Sequence, residues 1–159
     1  MGKKSSPVVA ILNDILTAEL TAINQYFLHA ELCGHWGYKK LYAFVRKQSI
    51  DEMKHAEMLI ERILFLDGIP NVQRLGKVNI GESVPEQFKL DRALEEEAVE
   101  RLNKAVAELR ELNDNGSRAL VETILQSEEE HLDWLDTQLD LISKIGEANY
   151  LTQKLGDGE

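Results

Sequence analysis

Four glutamates, Glu19, Glu52, Glu95 and Glu128, stand at positions where the surrounding apolar periodicity calls for core residues. Burying one such carboxylate without a partner costs several kcal/mol or forces its protonation, so four of them demand a shared explanation. The first pair is separated by 33 residues and so is the second, and the two pairs are related by a shift of 76. Each half of the chain therefore reads as a copy of one hairpin. In the second member of each pair a histidine follows three residues later, in Glu52-Met53-Lys54-His55 and Glu128-Glu129-Glu130-His131. Residues at i and i+3 share a helix face, so each histidine joins its glutamate on the buried side.

The stripes themselves are helical. No proline interrupts the chain between Pro7 and Pro70 or after Pro85, and good helix formers dominate both stretches. Val9, Leu12, Leu16, Glu19, Ile23, Tyr26 and Ala30 make one stripe, and Leu41, Phe44, Gln48, Glu52, His55, Leu59 and Leu66 make a second after a turn at residues 34–38. Asp67-Gly68-Ile69-Pro70 ends the second helix and opens a long connection up to Ser83. Ser83 is a capping residue, with Pro85 in the first turn and Glu86 at the capping-box spacing. The third stripe runs through Phe88, Glu95, Leu102, Leu109 and Leu112. Asn113-Asp114-Asn115-Gly116-Ser117 reads as a turn, and Leu120, Ile124, Glu128, His131, Leu135, Leu141 and Ile145 form a fourth stripe ended by Gly146. Residues 148–154 can add a short fifth helix. Short, long and short connections predict an all-α, ferritin-like four-helix bundle with a long crossover between the second and third helices, built as one domain over residues 1–159.

Equal spacing within antiparallel hairpins brings all four glutamates and both histidines to mid-bundle height. Four carboxylates carry −4 and two divalent ions carry +4, so the cluster is neutral when it holds two metals. Carboxylate and imidazole donors suit iron, manganese or zinc, and iron is the expected occupant. Glu96, Glu97, Glu129 and Glu130 leave the stripes and are read as solvent-facing; His29 and His35 are read as surface or interface histidines. Tyr26, two turns from Glu19, is placed to hydrogen-bond a ligand carboxylate or to supply an electron, and Gln48 and Gln138 are candidates to satisfy one. Trp134, one turn past His131, is read as core packing.

Composition narrows the partners. With 18 basic and 28 acidic side chains, a net charge of −10 favours cations and argues against a nucleic-acid or anionic-membrane surface. Cys33 is the single cysteine, which excludes an intramolecular disulfide, a C-x-x-C pair and a cysteine-rich metal site. No uninterrupted apolar run exceeds Val8 to Leu12, so no membrane span or secretory leader is expected and a cytoplasmic home is. Met1-Gly2-Lys3-Lys4-Ser5-Ser6 fits a loose myristoylation pattern of the kind that arises by chance, and lipidation is not expected.

Particular runs carry a family resemblance. Glu19 to His29, Ser49 to Ala56, Glu61 to Leu66 and Leu75-Gly76-Lys77 resemble the bacterioferritins, the haem-containing branch of the ferritins, over essentially the whole chain. The resemblance implies a hollow shell of twenty-four subunits built from two-fold dimers, with two iron ions per subunit on Glu19, Glu52, His55, Glu95, Glu128 and His131. His131 favours this branch, because haem-free ferritins usually lack the second histidine. The implied activity is iron storage and detoxification: a ferroxidase oxidises Fe2+ to Fe3+ with O2 or H2O2 and ferric mineral collects inside. The resemblance also implies a b-type haem shared by two subunits, with Met53 as axial ligand and Leu20, Ile23, Asn24 and Phe27 lining its pocket, and electron supply from a ferredoxin-type reductase for iron release. By helix geometry Met53 lies about 100° from Glu52, off the metal-facing stripe. The chain departs from some members at Arg46-Lys47-Gln48, which weakens the case for an additional inner-surface iron site at Asp51. The rivals are a rubrerythrin-like di-iron peroxidase, opposed by the lack of paired cysteines, and an inert haem-binding subunit of a mixed shell, opposed by the complete donor set.

Overall fold

A computed structural model describes residues 6–156 and shows five helices in the order α1 (Pro7–His35), α2 (Lys39–Phe65), α3 (Val84–Glu111), α4 (Asn115–Ile145) and α5 (Glu147–Thr152). The myristoylation pattern falls largely on residues 1–5, outside those described. Helix starts follow from their caps: Ser6 accepts from the Val9 N–H at 3.2 Å with Pro7 at the first position, and Ser83 accepts from the Glu86 N–H at 3.3 Å.

Three helix ends share one device. Gly37, Asp67 and Asn113 adopt left-handed φ values of 94°, 59° and 59° immediately after the caps of α1, α2 and α3. At each end the following N–H reaches back five residues: Tyr38 to Cys33 O at 2.9 Å, Gly68 to Ile63 O at 2.8 Å and Asp114 to Leu109 O at 3.0 Å. These are Schellman turns, and aspartate and asparagine tolerate the left-handed position better than other side chains. Gly68 is thus not the left-handed residue of its turn. A Cβ there would lie 2.8 Å from both methyls of Val9, so Gly68 lets the chain close over α1. Only Asn113 and Asp114 of the expected 113–117 turn stay outside the helices. Asp114 caps α4 through the Ser117 N–H at 2.9 Å and holds Arg62 of α2 at 3.0 Å, which also donates to Ser117 Oγ at 3.0 Å.

The pairs α1/α2 and α3/α4 are antiparallel hairpins, joined by the crossover at residues 66–83. That crossover is fastened along α1 by side chains four residues apart. Asn13 accepts from Asn71 N–H at 2.8 Å, Thr17 from Arg74 Nε at 2.9 Å, Thr21 from Gly76 N–H at 2.8 Å, Gln25 from Asn79 N–H at 3.2 Å and His29 from Gly81 N–H at 3.0 Å. His29 is therefore wholly buried, which corrects its reading as a surface residue; His35 is exposed as expected. On length and composition α1 could cross a membrane. Here its apolar stripe packs in the bundle, and Glu19, Gln25 and His29 are buried with it.

A small cluster of Ala22, Tyr26, Ala30 and Val45 lies apart, and the rest of the apolar packing divides into two ends. Leu12, Leu16, Leu59, Ile63, Leu102, Leu109 and Ile124 fill one, and Cys33, Leu41, Phe88, Leu135 and Tyr150 fill the other. Leu112, Leu141 and Ile145 of the expected stripes lie near helix ends and remain 42%, 39% and 44% exposed. The cap-and-clamp at Asp114 gives a direct test. Asp114→Ala should lower stability by about 1–2 kcal/mol while Asp114→Asn keeps most of it, measured by denaturant unfolding. Equal midpoints for Asp114→Ala and the parent would show that the α4 cap contributes nothing.

Candidate metal centre

Between the two apolar ends the six acidic and imidazole side chains converge. Glu52, Glu95 and Glu128 are at most 1% exposed, Glu19 is 3% exposed, and both histidines are 7% exposed. Their donor atoms form two overlapping groups, each within 4.8 Å: Glu19, Glu52, His55 and Glu128, and Glu52, Glu95, Glu128 and His131. Glu52 and Glu128 belong to both, so each half of the cluster has one private glutamate, one private histidine and two shared carboxylates. His131 Nδ1 lies 3.1 Å from Glu52 and 3.3 Å from Glu128, while His55 Nδ1 lies 3.6 Å from Glu128 and 3.7 Å from Glu19. The near-symmetry is the repeated 33-residue spacing carried into space.

The donors are poorly satisfied by protein. Glu19 Oε2, both oxygens of Glu52, His55 Nδ1, Glu95 Oε2, Glu128 Oε1 and His131 Nδ1 are buried without a hydrogen-bond partner. Buried polar atoms are normally paired, so seven orphans at one point mark a place built for cations. Tyr26 is the protein group that does reach a ligand candidate: its hydroxyl donates to Glu95 Oε1 at 2.5 Å. Burial and the Glu95 carboxylate push the Tyr26 phenol well above its ordinary range, which keeps the proton on the oxygen and the bond in this sense.

Protonation stands in for absent positive charge. Burial and then the neighbouring Glu19 and Glu128 charges hold Glu52 well above the carboxylate range, and burial with Glu128 lifts Glu95 to about 8. Burial alone would lower the histidines. The carboxylates outweigh it, raising His131 to about 10, chiefly through Glu128 and Glu95, and raising His55 through Glu19 and Glu128. A cation entering the cluster must displace these protons.

Neighbouring expectations sort themselves by the helix face they occupy. Met53 is 54% exposed and points away from the cluster, as does Phe27, 52% exposed, while Leu20 and Ile23 are half-buried. Asn24 is exposed and its amide folds back onto Leu20 O at 2.8 Å. Gln138 does not reach the cluster; it accepts from the Tyr150 hydroxyl at 2.5 Å. Gln48 satisfies no carboxylate either, since both its amide atoms lack partners. Trp134 is half-buried, stacked on Phe44 at 4.2 Å and edge-on to Phe88 at 5.5 Å. Glu96, Glu97, Glu129 and Glu130 face solvent.

One polar network escaped the sequence reading. Asp91 Oδ1 accepts from Gln25 Nε2 at 2.8 Å and meets His29 Nδ1 at 2.9 Å, one turn from Glu95 on α3. With Gly81 N–H donating to Nε2, His29 carries its proton on Nδ1 and links α1, α3 and the crossover. The four-residue recurrence of Asn13, Thr17, Thr21, Gln25 and His29 was the available signal: a polar stripe beside the apolar one.

Comparisons agree with this geometry. Residues 9–145 match the model of the ferritin-like domain. The chain is 54% identical over 145 residues to a bacterioferritin of Streptomyces coelicolor, covering 91% of this chain and 87% of that one. It is 49% identical over 146 residues to a bacterioferritin of Mycobacterium bovis, covering 92% of both, and 42% identical over 148 residues to one of Brucella melitensis, covering 93% and 92%.

The raised groups set a pH dependence of one sign. A group whose folded pKa lies above its unfolded value stabilises the fold below the unfolded pKa, and that contribution is lost as pH rises through the folded one. For Glu95 the window runs from 4.5 to about 8, and for His131 from 6.5 to about 10. The Tm of the metal-free protein should therefore fall from about pH 6 to about pH 9, and Co2+ should flatten the slope with proton release on loading. A metal-free Tm that rises across this range would contradict these protonation states.

Proposed function

We propose, since this chain belongs to the ferritin-like family and within it to the bacterioferritins, that its buried cluster is a ferroxidase centre serving iron storage and detoxification. The observation that carries the reading is the set of seven orphaned donor atoms between two dry ends of the bundle. Two Fe2+ ions are the substrate. Glu19 and His55 hold one, Glu95 and His131 hold the other, and Glu52 and Glu128 span both. Four carboxylates balance the +4 charge, so two divalent ions take over the charge compensation that protonation otherwise supplies. Tyr26 fixes the orientation of Glu95 and leaves its second oxygen free for metal. Each Fe2+ gives one electron: with O2 the two electrons and two protons yield H2O2, and with H2O2 the O–O bond breaks and two protons complete two waters.

A haem is a separate case, and the residues fit it. Met53 offers a half-exposed thioether on the same face of α2 as Ile50, and Phe27 of α1 is also exposed, apolar surface that a two-fold dimer would double. Met53 from each subunit would hold the haem through its thioether, with Leu20, Ile23, Asn24 and Phe27 lining the pocket. When bound, haem supplies an electron path for reductive release of stored iron, with a ferredoxin-type reductase as donor. The assembly we propose is a cytoplasmic shell of twenty-four copies. A mixed-shell inert subunit fits less well because no donor is missing, and a rubrerythrin-like peroxidase fits less well because Cys33 stands alone.

Glu19→Ala or Glu95→Ala should slow the rapid phase of Fe2+ oxidation at least tenfold while the shell still assembles, because one positive charge then lacks its carboxylate. Stopped-flow traces at the parent rate in both variants would sink the ligand assignment. Met53→Leu keeps volume and helix propensity and should abolish the bis-thioether haem spectrum while Fe2+ oxidation continues. A Met53→Leu shell that purifies with full haem would disprove the axial role.

A further inference from the structure

Beside the cluster, on the face between α2 and α4, lies a cavity of about 220 Å³. The stacked rings of Phe44 and Trp134 form an apolar side, Gln48, Ser127 and the His131 edge form a polar one, and Lys47, Asp51 and Glu130 add charged groups to the lining. His131 turns Nδ1 to the carboxylates and Nε2 toward Asp51, 3.6 Å away, so the imidazole forms the partition between cavity and cluster. Gln48 is 3% exposed, yet neither its amide oxygen nor its amide nitrogen has a partner. A buried amide with both ends unmatched is rare, and at the wall of a cavity it points to an occupant.

The amide also states what that occupant must be. Its oxygen needs a donor and its nitrogen needs an acceptor. A bare metal ion would satisfy the oxygen and leave the N–H groups unmatched. Dioxygen has no hydrogen to donate. Water and hydrogen peroxide do both, and peroxide spans two adjacent sites with one molecule. We propose that this cavity seats hydrogen peroxide on Gln48 next to His131, which makes peroxide the oxidant drawn from this face. The inference rests on the ferroxidase reading and deepens it. The reaction balances: two Fe2+ lose one electron each, the O–O bond of the seated peroxide breaks, and two protons complete two waters. Gln48 binds and orients; it neither gains nor loses a proton.

Gln48→Leu removes both hydrogen-bonding ends at similar volume, and Gln48→Met is a second, more flexible substitute. In either shell the KM for H2O2 should rise at least about tenfold with kcat within about twofold, the worth of two lost hydrogen bonds. Two readouts without turnover accompany it. The Co2+ absorption titration of the centre should be unchanged, because Gln48 ligates nothing, and the Tm of the metal-free protein should rise, because two unmatched buried atoms are gone. An unchanged KM for H2O2 would overturn the proposal. So would a lower Tm with weakened Co2+ binding, which would make Gln48 a support of the metal cluster. A parent protein that binds Co2+ but oxidises no Fe2+ would overturn the ferroxidase reading, and the peroxide seat with it.

Discussion

Four carboxylates gathered in a dry interior repel one another, and everything else in this bundle accommodates that repulsion. Burial and the neighbouring carboxylates hold Glu52 and Glu95 above their ordinary range, and the carboxylates raise His131 to about 10, so without cations the cluster holds extra protons. The orphaned oxygens are a stability loss that the rest of the fold must offset. It does so mainly at the two ends, where Leu12, Leu59 and Ile124 pack on one side and Phe88, Leu135 and Tyr150 on the other, the second end also enclosing the Tyr150–Gln138 and Cys33–Gln87 bonds. The polar layer lies between two apolar ones, and the helices extend well beyond it at both ends.

The same constraint explains the emphasis on rigid helix ends and a fastened crossover. Donor atoms must meet within a few ångströms, so the four helices cannot slide relative to one another. Three Schellman turns fix where α1, α2 and α3 stop. Arg62 ties α2 to the start of α4 through Asp114 and Ser117. The five rungs from Asn13 to His29 hold the crossover against α1, and the Asp91 pair with His29 and Gln25 extends that hold to α3 one turn from Glu95. Register is set by polar bonds away from the cluster, exposed at Arg74 and buried at His29 and Asp91, while the centre remains polar and unmatched.

Helix geometry then separates functions that are neighbours in sequence. Within the five residues from Gln48 to Glu52, α2 passes from the cavity wall to the metal cluster, and Met53 turns to the outer apolar face. A step of about 100° per residue lets one turn and a half of helix serve a cavity, a metal pair and an external surface at once. The compartments are distinct although the chain that lines them is continuous.

Much of this was legible in the chain. Apolar periodicity located the four long helices, and the repeated 33-residue spacing identified Glu19, Glu52, Glu95 and Glu128 with both histidines as one cluster, because a buried charge in an apolar stripe is a local contradiction that only a shared partner resolves. What escaped were the polar residues whose partners are distant: His29 reads as a surface or interface histidine, Gln48 and Gln138 read as candidates to satisfy a carboxylate, and nothing in the local pattern singles out Asp91. Their roles depend on where the crossover backbone, the Tyr150 hydroxyl and an adjoining cavity come to lie. Helical period and core membership are properties of neighbours along the chain, so the amino-acid sequence alone determined them. Hydrogen-bond partnership and cavity walls are properties of neighbours in space, separated here by 52 and 62 residues in the bonds of His29, and only the packed tertiary structure could decide them.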